Sequence, residues 1–110
     1  MTTASAGPAA SACCSPSVGF DPSLDADRIA EVAAALASPI RVQILDVLRR
    51  SDTEVCQCEL LALLNIGQPL LSHHIKRLVD AGLVVVERRH RWAWYSVEPG
   101  ALLSLLGWLG

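Results

Sequence analysis

Apolar positions recur at helical spacing from Leu24 onward. Leu24, Ile29, Val32, Ala33 and Leu36 fall on one face, which predicts a helix over residues 24–36. Asp25, Asp27 and Glu31 favour its N-terminal half through the dipole. Ser38-Pro39 ends this helix and opens a second, with Ser as the cap and Pro in the first turn. Ile40, Ile44, Leu45, Val47 and Leu48 form the inner stripe of that second helix, and Arg49-Arg50 close it. A turn at 51–53 precedes a short helix running through Glu59–Leu64, which Asn65-Ile66-Gly67 breaks. Gln68-Pro69 opens the next helix, running to Asp80-Ala81, with Gly82 at the expected left-handed cap. Two short helices joined by a tight turn containing Gly form a helix-turn-helix. Leu83–Val86 then reads as a strand, Glu87–Arg91 as a polar turn, and Trp92–Val97 as the returning strand. Pro99 starts a last helix, apolar nearly all round. The predicted fold is mainly α with one small β-hairpin, a winged helix-turn-helix.

The 110 residues make one domain, preceded by an Ala/Ser/Pro/Gly-rich segment. Residues 1–23 show no helical or strand period and are expected to be a mobile arm; residues 24–110 form the folded domain. The chain is 52% apolar and 18% charged, which excludes a disordered protein. That apolar share is high for a small monomer. The run Ala101–Leu109 is too short to span a bilayer, so no membrane partner is expected. The N-terminus lacks the basic and apolar regions of a secretory signal, so the expected compartment is the cytoplasm, with its four cysteines reduced. The net charge of −2 is unevenly spread. Residues 1–66 carry −4, whereas residues 67–97 carry +3. A local patch of that sign is what attracts phosphates.

Several segments together resemble the ArsR/SmtB family of metalloregulatory repressors. They are Leu36-Ala37-Ser38-Pro39-Ile40-Arg41, Glu54-Val55-Cys56-Gln57-Cys58-Glu59-Leu60, Gln68-Pro69-Leu70-Leu71-Ser72-His73-His74-Ile75-Lys76-Arg77-Leu78 and Ala81-Gly82-Leu83-Val84. The resemblance covers residues 24 to about 100. The vicinal Cys13-Cys14 is similar to the N-terminal cysteine pair of actinobacterial-type arsenic repressors. The resemblance implies a homodimer that binds operator DNA without metal and lets go when metal binds. It implies no enzyme activity and no organic cofactor.

The helix over 68–80 is the expected major-groove reader. Gln68 and Ser72 lie four apart on one face, and His73, Lys76 and Arg77 can reach phosphates or bases. His74, one step round from His73, can instead point inward and serve the domain as a hydrogen-bonding residue. The wing residues Arg88, Arg89 and Arg91 are expected along the backbone or minor groove. Of the wing aromatics Trp92, Trp94 and Tyr95, at least one Trp is expected in the core. Leu102, Leu105, Leu106, Trp108 and Leu109 are expected to pair with a second subunit, because the small domain cannot cover them.

Cys56 and Cys58 stand where a helix begins, and the helix dipole there should lower thiol pKa. Two residues apart on a regular helix are about 200° apart, so both reach one ion only if Cys56 is still extended. Binding both is therefore expected to distort the helix start. Some arsenic repressors carry a third cysteine where this chain has Leu61. As(III) takes three soft sulfur donors, and the expected set is Cys13, Cys14 and one thiol of the Cys56–Cys58 pair, with binding lowering operator affinity. Cys56 is the easier partner for the arm, although chemistry alone does not rank it above Cys58. The alternatives are a Cd(II)/Pb(II) site using all four thiols, and a redox sensor in which Cys13-Cys14, or an arm–helix pair, forms a disulfide. The last helix carries no Asp, His or Glu over 99–109, so a metal site there is not expected.

Overall fold

The computed structural model describes residues 17–110. Five helices and three strands follow in order: α1 (Ala26–Ala35), α2 (Pro39–Arg50), β1 (Val55–Cys56), α3 (Gln57–Leu64), α4 (Gln68–Asp80), β2 (Val84–Arg89), β3 (Trp92–Val97) and α5 (Pro99–Leu109). The helix caps follow the sequence. Asp25 accepts from the Arg28 N–H at 3.1 Å and starts α1 two residues later than the apolar period suggested. Ser38 is extended and its hydroxyl accepts from the Arg41 N–H at 3.4 Å, with Pro39 in the first turn of α2.

The end of α4 is a Schellman motif. Gly82 has φ +77°. Its N–H donates to the Val79 carbonyl and that of Leu83 to the Leu78 carbonyl, both at 2.9 Å. The positive φ calls for glycine, and a Cβ there would also have to displace the Arg28 guanidinium, 2.5 Å away. This cap turns the chain from α4 directly into β2.

The hairpin is longer than the expected 83–86 and 92–97 strands. β2 runs to Arg89 and pairs antiparallel with β3 from Val84↔Val97 to Arg89↔Trp92, leaving only His90-Arg91 as the turn. His90 has φ +59° there. Arg88 and Arg89 are therefore strand residues, because ladder hydrogen bonds extend order through a polar segment that has no apolar period of its own. A third strand was not expected. β1 pairs with β3 through Val55↔Tyr95 and Cys56↔Trp94, giving the order β1-β3-β2. Two residues are too few to show a period of two.

The core lies between α1–α4 and the inner face of the sheet. Ile44, Leu60, Leu71, Leu78 and Leu83 are fully buried, each stabilising by roughly 1.5–3 kcal/mol. Tyr95 and Ala93 are the buried residues of β3, while Trp92 is 44% exposed and Trp94 half-buried. The expected core Trp of the wing is thus a tyrosine: strand alternation turns Ala93 and Tyr95 inward and puts both tryptophans on the other face. No helix among the described residues is long and apolar enough to cross a membrane.

Candidate nucleic-acid interface and thiol site

Gln68, Ser72, His73 and Lys76 are all exposed on α4. Gln68 Nε2 donates to Ser72 Oγ at 3.2 Å, and Gln68 Oε1 accepts from Gln57 of α3. Lys76 Nζ pairs with Asp80 at 3.1 Å, one turn on. A groove of about 410 Å³ separates this face from the hairpin, with Gln68, Ser72 and Lys76 on one wall and Val86, Arg88 and Tyr95 on the other. Arg77 falls about 140° round the helix from Ser72 and lines a cavity with Glu31, Arg41 and Asp80. It therefore sits on the α1–α2 side of the reader helix, not the wing side. His74 is buried, and Arg41 Nη1 approaches its Nδ1 at 3.1 Å. Arginine only donates, so Nδ1 is the acceptor and the ring is neutral. Burial, then the charges of Arg41 and His73, hold its pKa below the ordinary histidine value. Arg41 also donates to the carbonyls of Ala35 at 2.7 Å and Ala34 at 3.4 Å. One guanidinium thus ties the end of α1 to α2 and α4.

The wing cations are not equivalent. Arg89 pairs with Glu54, the residue before β1, and with Glu87 at 3.0 Å. Its guanidinium stands 5.3 Å from the centroid of the Trp94 ring. These contacts hold the hairpin against the β1 segment and occupy the charge. Arg88 and Arg91 have no carboxylate partner among the described residues and carry the wing's free positive charge. The equal treatment of three arginines on sequence alone could not see this, because Glu54 lies 35 residues away in the chain.

The two described thiols converge. Cys56 is extended, at φ −72° and ψ 143°, and is both the last residue of β1 and the N-cap of α3. Cys58 lies in the first helical turn, and the sulfurs are 3.0 Å apart. The expected geometry, one residue extended and one helical, is therefore present. The expected distortion of the helix start is not required to bring the sulfurs together. Around one ion with S bonds of about 2.3 Å, sulfurs sit roughly 3.3–3.8 Å apart, so capture needs only a small opening. Cys56 is buried and Cys58 exposed. The hydrogen bond from Cys58 to Cys56, then desolvation, then the charges of Cys56 and Glu59 push the Cys58 thiol above its ordinary pKa. For Cys58 this is opposite to the direction expected from its helix position. Glu59 also reaches back to accept from the Cys56 N–H at 3.3 Å. Among the described residues no three His, Cys, Asp or Glu side chains converge on one point. Leu61, at the position of a third cysteine, packs against the core. Cys13 and Cys14 lie outside the described residues.

Residues 38–86 match the family model described as bacterial regulatory protein, arsR family. The "Arsenical resistance operon repressor" of Staphylococcus aureus is 36% identical over 79 residues, covering 72% of this chain and 74% of that protein. The chain belongs to the arsR family. The "HTH-type transcriptional repressor SmtB" of Mycobacterium tuberculosis is 41% identical over 80 residues, covering 73% of this chain and 58% of its own. A solved "ArsR-like Transcriptional Regulator from Rhodococcus sp. RHA1" shares the fold, with a TM-score of 0.65, 24% identity, and 76% of each chain covered. This arsR-family chain is accordingly a helix-turn-helix transcriptional regulator that binds DNA, and not an enzyme.

In this arsR-family chain α5 has no buried residue. Leu106, Trp108 and Leu109 are 62%, 53% and 65% exposed, and Leu102 and Leu105 are half-buried against the core. An almost wholly apolar groove of about 510 Å³ lies between α1 and α5, lined by Ile29, Ala33, Leu36, Leu105, Trp108 and Leu109. Three residues of the site escaped the sequence reading. Arg41 and Glu54 act through partners far away in the chain. Gln57 had one available signal, a polar amide between two thiols.

Proposed function

We propose that this chain is a homodimeric transcriptional repressor whose grip on operator DNA is released by a thiophilic ion, As(III) first among them. The observation that carries this reading is the convergence of Cys56 and Cys58 at 3.0 Å, at the start of the helix that supports α4. Gln68, Ser72 and His73 read bases, while Lys76, Arg77, Arg88 and Arg91 hold phosphates, with Arg89 joining only by leaving its carboxylates. Two thiols do not complete a three-sulfur shell, so Cys13 or Cys14 of the arm over residues 1–23 supplies the third. The names of the Staphylococcus aureus relative and of a Staphylococcus xylosus relative, 42% identical over 71 residues, support an arsenical inducer. The apolar faces of α1 and α5, with Leu102, Leu105, Leu106, Trp108 and Leu109, join two subunits and set two reader helices about one DNA turn apart. The site of action is the cytoplasm, where the thiols stay reduced.

Gel-shift release by arsenite, cadmium and peroxide under matched conditions tests the inducer. Release by arsenite at the lowest dose, abolished when Cys13 and Cys14 are both replaced by Ser with operator binding intact, is the expected result. Release by Cd(II) or Pb(II) requiring all four cysteines replaces As(III) with those ions. Release by peroxide alone makes the protein a redox sensor.

A further inference from the structure

The residue between the two thiols is Gln57, the first residue of α3. Its side-chain amide donates to Gln68 Oε1, and Gln68 Nε2 in turn donates to Ser72 Oγ at 3.2 Å. Gln68 is the first residue of the reader helix, and both it and Ser72 face the groove beside the wing. A glutamine that reads a base must present its amide in one orientation. Here that orientation is set on one side by Gln57 and on the other by Ser72. Gln57 is half-buried and lines the same groove.

The backbone on either side of Gln57 is held differently. Cys56 is fixed in the sheet by its pairing with Trp94. Cys58 belongs to the first turn of α3. Residue 57 carries the two peptide units that join these differently held thiols, so backbone movement at either one reaches Gln57 first. Closing both sulfurs on one ion opens their 3.0 Å contact and turns them toward a third donor outside the helix.

We propose, resting on the thiol-release reading above, that Gln57 is the positioning residue that couples the thiols to the DNA: it holds Gln68 in its base-reading attitude, and ion capture by Cys56 and Cys58 turns it away. Occupation of the thiols then acts first on sequence discrimination at the Gln68 base pair, before any general loss of phosphate contacts.

The test compares wild type, Gln57→Met, Gln57→Glu and Gln68→Ala in the full-length chain, on operator DNA and on operators changed at single base pairs. Without ion, Gln57→Met should lose roughly tenfold in discrimination at the base pair that Gln68→Ala identifies, and at no other. Its melting temperature and its affinity for non-operator DNA should stay at wild-type values. The Gln57/Gln68 double variant should be no worse than Gln68→Ala alone. Gln57→Glu can only accept, so it forces the Gln68 amide to flip and should lose discrimination at the same base pair. Wild-type discrimination in Gln57→Met, or a loss spread evenly over all base pairs, overturns the proposal. With sodium arsenite as the probe, arsenic bound per chain should be equal in wild type and Gln57→Met, while the arsenite-induced drop in operator affinity should be several-fold smaller in the variant. Equal drops in both overturn the proposal and leave the thiol-release reading standing. No arsenic bound to wild type, or no release of it, sinks the thiol-release reading itself. The ion-free measurements then still show whether Gln57 orients Gln68.

Discussion

At the residue scale, His74 shows how one position in a reader helix serves the fold instead of the DNA. It follows the exposed His73, is itself buried, and accepts a hydrogen bond from Arg41. Its pKa is lowered in the folded state by burial first and by Arg41 second. The unfolded chain, near 6.5, therefore binds a proton more readily than the folded one. Stability from His74 is complete above about pH 6.5 and is lost as pH falls from there through the folded pKa. Melting temperature followed from pH 8 to pH 5 should fall more steeply in wild type than in His74→Asn, which keeps an acceptor for Arg41 but does not titrate. Parallel curves would assign the acid sensitivity elsewhere. His74→Leu, which leaves Arg41 without its acceptor, should cost about 1–3 kcal/mol at neutral pH.

At the element scale, the wing divides its arginines between structure and binding. Arg89 is taken by Glu54, Glu87 and the Trp94 ring, whereas Arg88 and Arg91 have no such partners among the described residues. Log operator affinity should fall linearly with log salt, and each lost phosphate contact should flatten the slope by about 0.9. Arg88→Ala and Arg91→Ala should each flatten it by about that amount per subunit, and Arg89→Ala by much less. Glu54→Ala removes one of the two carboxylates that hold Arg89, so it should tighten binding to all DNA sequences at low salt and steepen the slope. Titrations across a range of salt concentrations check all four variants together. Equal flattening by the three arginine variants would put Arg89 on the DNA and reduce the Glu54 pair to a contact of the free protein.

At the scale of the whole molecule, the unanswered surface is apolar. The groove between α1 and α5 and the exposed Leu106, Trp108 and Leu109 form a face that a single copy leaves in water. Burying it against the same face of a second copy satisfies two-fold symmetry. Leu106→Glu should shift the protein to monomer at micromolar concentration in light scattering, and weaken operator binding far more than binding to a half-site. A wild type that scatters as a monomer at that concentration would remove the dimer from the proposal.

The sequence alone determined the helices, the caps at Ser38 and Gly82, and the helix-turn-helix. Those features are local: a period of 3.6, a Ser-Pro start, a glycine where φ must be positive. It also placed Cys56 and Cys58 at a helix start, because capping and apolar spacing are read within a few residues. The strand β1, the length of the hairpin, the choice of Tyr95 for the core and the pairing of Arg89 with Glu54 were decided by the tertiary structure. Each depends on which distant segment lies alongside, and a two-residue strand or a 35-residue separation leaves no mark in the local pattern. The same holds for the acidity of Cys58. Its helix position argued for a lowered pKa, but the hydrogen bond to the Cys56 sulfur, desolvation and the nearby charges raise it, and all three depend on the folded surroundings.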